Sequence, residues 1–277
     1  MFTSPESPAK PLVNRGSLAL ARGDVAEAED LFRRAAALDP DNATAHANLG
    51  YLLAATGRHA ESIAESERAI ALEPERSAPW AHRGMAQIAA GNVEEGLSAL
   101  CTAVRLDPGN HWAWDAMGCT LLALGRADEA EVAWAAAVAD RPEDADLHIA
   151  LATALAAQDR TGEAVRVLYR ATALAPASAR AWTQLGVVSL VRQDHGTAGE
   201  ALLTALDLAP GDPDARYHLA VLHVLVGALE EATDELQRLV ADGVHAGEAQ
   251  ALLARLAGNG AVTVPPEDAA SHSGRTP

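Results

Sequence analysis

Pro40, Pro74, Pro108, Pro142, Pro176 and Pro210 follow one another at a constant step of 34 residues. A period held that strictly marks tandem duplication, and it confines the chain to architectures in which one short unit stacks on copies of itself. Each unit must then bury its apolar face against its neighbours rather than in one globular centre. Apolar residues make up 49% of the sequence but aromatic ones only 4%, which suits a core assembled unit by unit from small side chains.

Three further phases run between the prolines. Trp80, Trp114 and Trp182 each stand four residues before a glycine, at Gly84, Gly118 and Gly186. Ala28, Ala130, Ala164, Ala198 and Ala232 hold a second phase, and Ala35, Ala69, Ala103, Ala137, Ala171 and Ala205 a third. These two alanine phases lie seven residues apart, hence on one helix face, where they accept neighbouring side chains without collision. Gly16, Gly50, Gly84, Gly118, Ala152, Gly186 and Ala220 keep a first helix small where the second crosses it. Proline lacks the N–H and pushes the preceding residue out of the α region, so it closes the second helix. Gly23, Gly57, Gly91, Gly125 and Gly227 supply the positive φ that a helix C-terminus commonly takes. Asp159 and Gln193 occupy that place in two units, without glycine's freedom.

This pattern resembles the tetratricopeptide repeat, a helix–turn–helix unit of the same length. The resemblance implies an all-α, right-handed superhelical solenoid. Counted from these landmarks, seven repeats cover 9–42, 43–76, 77–110, 111–144, 145–178, 179–212 and 213–246. Beyond them Ala249, Leu252, Leu253 and Leu256 fall on one side of a helical wheel, with Glu248, Gln250, Ala254 and Arg255 on the other. Residues 247–258 are therefore expected to form a capping helix over the last stacking face. Residues 1–8 and 259–277 carry no periodicity and are read as disordered.

Several function classes are disfavoured. A formal charge of −17, from 21 basic and 38 acidic residues, repels phosphate and argues against nucleic acid. No apolar run reaches the length of a membrane span and the N-terminus has no secretory pattern, so no membrane insertion and a cytoplasmic location are expected. The two cysteines, Cys101 and Cys119, form neither a disulfide framework nor a metal site by spacing, and the histidines show no ligand motif. No metal or cofactor is assigned. With no phosphate loop, nucleophile elbow or strand pattern, no catalytic residue is assigned either, and the chain is read as not an enzyme.

The resemblance implies instead a protein-interaction scaffold or adaptor that binds a peptide or protein segment in a concave groove lined by the first helices. Mapped onto this chain, the groove takes Asn14, Asn48, His82, Gln184 and His218 at the sixth position of each repeat, and Tyr51, Met85, Cys119, Thr153, Val187 and Val221 at the ninth. Trp112, Asp146 and Arg180 fall at the second position, and Asp115 and Tyr217 at the fifth. A polar strip thus runs beside an apolar one, with amides to meet a peptide backbone and Tyr51, Met85 and Trp112 to take its apolar side chains. Trp80, Trp114, Trp182 and Trp134 are assigned to packing, whereas Trp112 serves either as a contact or as packing.

Two specialisations of the family can be checked. The carboxylate clamp needs lysines at set groove positions, and Lys10 is the only lysine here, so the clamp is absent. The asparagine ladder is matched by Asn14 and Asn48 alone, which restricts backbone reading to the N-terminal end. Acidic residues exceed basic ones in the fourth and seventh repeats; a solvated face explains this, and so does steering of a partner with basic residues. Self-association into a structural scaffold, or service as a regulatory subunit of an enzyme encoded elsewhere, remain alternative functions.

Overall fold

The computed structural model describes residues 7–258, and among them it contains fifteen α-helices and no strand. The expected disordered tail 259–277 and residues 1–6 lie outside that range. Ser7 and Pro8 do not: the Ser7 hydroxyl donates to the Asp39 carboxylate and accepts from the Asn42 side chain.

Contacts divide the chain into two compact units, residues 1–120 and 121–277. The first holds α1 (Lys10–Ala21), α2 (Val25–Leu38), α3 (Ala43–Ala55), α4 (His59–Leu72), α5 (Ser77–Ala89), α6 (Val93–Leu106) and most of α7 (His111–Ala123). The second holds α8 (Ala127–Asp140), α9 (Ala145–Ala157), α10 (Thr161–Leu174), α11 (Ala179–Val191), α12 (His195–Leu208), α13 (Pro213–Val226), α14 (Leu229–Asp242) and α15 (Ala246–Gly258). In the first unit α1 to α6 pack in sequence, each on the next, and in the second α8 to α15 do the same. Odd-numbered helices also touch one another, α1 with α3 and α3 with α5 in the first unit, α9 with α11 and α11 with α13 in the second. One face of each unit is therefore a row of odd-numbered helices.

Local chemistry accounts for these boundaries. Asn42, Asn110, Asp144, Ser178 and Asp212 cap α3, α7, α9, α11 and α13, their side-chain oxygens accepting backbone N–H groups of the first turn. The turn between paired helices is left-handed throughout, at Gly23, Gly57, Gly91, Gly125 and Gly227, and at Asp159 (φ 59°) and Gln193 (φ 61°) as well. The two departures noted in the sequence thus keep the conformation and bear its steric cost. Close crossing explains the recurrent small residue: a Cβ on Gly84 would stand 2.8 Å from the carbonyl oxygen of Gly96.

The periodic prolines have a second role. The carbonyls of Pro40, Pro74, Pro108, Pro142, Pro176 and Pro210 each receive a side-chain donor from the residue six positions on, namely His46, Trp80, Trp114, His148, Trp182 and Arg216. A carbonyl in a turn between helices lacks an i+4 partner, and one side chain in the next helix satisfies it. Trp182 also packs against two apolar clusters, and Trp134 is buried, in keeping with their packing assignment.

Candidate functional site

Three of the large apolar side chains that the first unit leaves uncovered lie together. Tyr51 is 48% exposed, Met85 40% and Trp112 68%, and all three line a hollow of about 730 Å³ formed by α3, the start of α4, α5, the turn at residues 107–110 and the start of α7. Half of its remaining lining is alanine: Ala54, Ala55, Ala78, Ala81, Ala86 and Ala89. On α5 the positions Ala78, Ala81, His82, Met85 and Ala89 follow helical spacing, so one face of that helix gives the hollow its floor.

His82 sits between the hollow and the protein interior. Its ring centroid is 5.3 Å from that of Tyr51 at an interplanar angle of 49°. Burial pushes its pKa down to about 4, against a backbone hydrogen bond with Ala47 that acts the other way and with some help from Arg76. The imidazole is therefore neutral at neutral pH. Asp107 supplies the one formally charged side chain of the lining, and one of its oxygens accepts the Gly109 N–H at 3.0 Å.

The remaining sequence-derived positions do not join this hollow. Asn14 is exposed on α1, and the Asn48 amide donates to Ser17 at 3.4 Å. Asp115 and Cys119 lie further along α7, half-buried and exposed respectively. In the second unit Asp146 and Arg180 pair with each other at 3.2 Å, and Gln184 is half-buried on α11. Thr153 bonds the Ile149 carbonyl, while Val187 and Val221 are buried.

Tyr217 and His218 require correction as groove residues. They are only 4% and 2% exposed. Tyr217 packs in the apolar cluster that includes Ala249 and Leu252 of α15. Its ring stacks on His245, centroids 5.6 Å apart, and His245 in turn bonds Asp214 at 2.6 Å. Tyr217 shares its phase with Val13, Ala47, Ile149 and Thr183, which are buried too, so this position is taken out of solvent throughout the array.

Sequence reasoning missed the alanine walls, His59, Asp107, Asn110 and His111. The signal was present in the helical spacing of Ala78, Ala81, Met85 and Ala89, but small residues in such an array read first as packing. Among the described residues no group of histidine, cysteine and carboxylate side chains could hold a metal, and no helix is long and apolar enough to cross a membrane.

Three family models, each described as Tetratricopeptide repeat, match residues 13–76, 145–188 and 191–256, together more than half of the chain. The chain belongs to the tetratricopeptide repeat family. Solved tetratricopeptide repeat structures share its fold at low identity. PilF of Pseudomonas aeruginosa superposes with a TM-score of 0.63 at 19% identity, over 75% of this chain and 95% of that one. A tetratricopeptide repeat protein from Parabacteroides merdae gives 0.63 at 14% identity, over 89% and 97%. YrrB, described as having an unusual peptide-binding site, gives 0.56 at 21%, over 66% and 95%. No curated protein matches the chain.

Proposed function

We propose that this tetratricopeptide repeat protein is a non-catalytic interaction scaffold that holds a peptide or protein segment in the groove formed by α3, α5 and α7. The observation that carries the reading is the hollow of about 730 Å³ with Tyr51, Met85 and Trp112 exposed along it. Exposed large apolar side chains gathered around one concavity cost solvation free energy in the unbound state, and such patches serve as binding sites. The peptide-binding site of YrrB supports the same use of this fold. A partner with basic residues fits the formal charge of −17 and the Asp107 carboxylate in the lining.

The test is affinity capture with the full chain, followed by titration of the recovered partner against Trp112→Ala, Tyr51→Ala and a control, Arg170→Ala on α10. Loss of binding in the two groove variants with retention in the control supports the groove. Binding that survives both groove substitutions moves the site elsewhere.

A further inference from the structure

One core position carries a large side chain in every even-numbered helix except α4. Phe32, Leu100, Trp134, Leu168, Leu202 and Leu236 share this phase, and none is more than 2% exposed. In α4 the residue is Ser66, fully buried, with an Oγ that has no hydrogen-bond partner. There α3 lies close against the small residue: a Cβ on Gly50 would stand 2.7 Å from that Oγ. The buried face of α4 is only Ser62, Ser66 and Ala69, whereas α2 buries Leu31 and Phe32, and α6 buries Leu97, Leu100 and Val104. Ile63 and Ile70 are half-buried. On α5, which packs on α4, Gln87 leaves a second buried oxygen, Oε1, without a partner. Polar contacts do much of the fastening. Ser62 donates to the Gly50 carbonyl at 2.7 Å, Glu65 lies 2.6 Å from His46, Glu61 lies 3.1 Å from Arg33, and Arg68 lies 2.9 Å from Asp41.

We infer that α4 is a yielding wall: it lifts from α3 and α5 as a unit, ahead of α2 and α6, and the side of the hollow formed by His59 gives way with it. His59 is the first residue of α4 and lines the hollow. The consequence for binding rests on the hollow being the binding surface, whereas the opening itself does not. A helix opens locally at a cost set by the apolar surface and polar contacts it gives up. One fully buried large side chain is worth a factor of about ten or more in that equilibrium, and α4 has none. Exposed ion pairs such as those of Glu61 and Arg68 replace little of it and weaken in salt. The orphan hydroxyl of Ser66 favours the open state, in which water satisfies it. Stacking alone would give the opposite order, because an interior helix has neighbours on both sides while the ends of an array fray.

Hydrogen–deuterium exchange of the full chain, read by mass spectrometry with no partner present, tests this. After correction for intrinsic rates, peptides from α4 are expected to exchange about tenfold faster than those from α2 and α6, and evenly along the hydrogen-bonded amides of the helix. Ser66→Ala removes the orphan hydroxyl without adding bulk, and should slow exchange of α4 about threefold to tenfold while leaving α6 unchanged. Ser98→Ala, the same change at an exposed site of α6, controls for helix propensity and should alter α6 less than Ser66→Ala alters α4. Raising NaCl from about 0.05 M to about 1 M should speed α4 and not α6. Exchange of α4 at the rate of α6 overturns the inference, as does a Ser66→Ala variant whose α4 exchanges no more slowly. Exchange that is fastest in α2 and slows at each helix inward is end fraying and overturns it too. An equal salt response of α4 and α6 overturns the polar fastening. None of these outcomes bears on whether the groove is used, which titration of the captured partner decides separately.

Discussion

Nδ1 of His46 lies 2.6 Å from a carboxylate oxygen of Glu65, while Nε2 of the same ring faces the Pro40 carbonyl at 3.1 Å. Both ring nitrogens face acceptors, so the imidazolium satisfies both at once. Arg216 repeats the arrangement, reaching Glu235 at 2.8 Å and the Pro210 carbonyl at 2.6 Å. Where tryptophan takes this place the residue opposite is alanine: Ala99 for Trp80, Ala133 for Trp114 and Ala201 for Trp182. A cation comes with a carboxylate nineteen residues on, and a bulky ring comes with room.

The His46 pair gives a pH dependence of definite sign. The hydrogen bond to Glu65 raises the His46 pKa, opposed by burial and assisted by the Pro40 carbonyl. A folded-state pKa above the unfolded value, about 6.5, contributes stability that is complete below about pH 6.5 and is lost as pH rises through the folded value. Urea unfolding of wild type and Glu65→Gln should therefore differ most near about pH 6 and converge above the raised pKa. A gap that widens with rising pH contradicts the assignment.

Filling the hollow should remove binding without harming the fold. Ala89 is exposed in the lining, so Ala89→Phe occupies ligand space and leaves the core untouched. Trp112→Ala and Tyr51→Ala should each weaken a bound segment by about 1–3 kcal/mol, as loss of an aromatic anchor does. Calorimetric titration against an identified partner measures the effect, and unchanged thermal unfolding shows that the fold survives.

Gly84→Ala should destabilise by about 1–3 kcal/mol, although alanine is the better helix former by about 1 kcal/mol. The steric term wins because the atom met at 2.8 Å is the Gly96 backbone oxygen, which moves only if the crossing of α5 and α6 opens. A raised melting temperature would show that the crossing yields.

Gln193→Gly should stabilise by up to about 1 kcal/mol, since a left-handed conformation costs a residue with a Cβ about 1–2 kcal/mol and glycine returns part of that as unfolded-state entropy. Asp159→Gly should gain less, because a short polar side chain eases the same φ through local hydrogen bonds. Denaturation midpoints of the two variants give the order.

Much of this was legible in the chain. Proline spacing, the Trp–Gly offset and the alanine phases lead to paired helices because each is a local steric requirement. Tyr51, Met85 and Trp112 were legible because they are large side chains at positions that point away from the pair. Tyr217 and His218 were misread for a packing reason: the phase of Tyr217 is buried at Val13, Ala47, Ile149 and Thr183 as well, and His218 turns its Nδ1 to the Asp214 carbonyl of its own helix. Asp146 and Arg180 looked like two separate contacts, yet a separation of one period brought them together across α9 and α11. The alanine walls escaped notice because a hollow is defined by what small residues fail to fill.

Each junction carbonyl is matched by a donor that travels with the next unit at a fixed offset, so the lock is modular. Excising residues 77–110 would place Trp114 six residues after Pro74, and duplicating them would give the extra proline its own donor. Whole units can thus be lost or gained by recombination without orphaning a single one of these carbonyls, and the length of such a chain is free to drift in evolution while its joints stay the same.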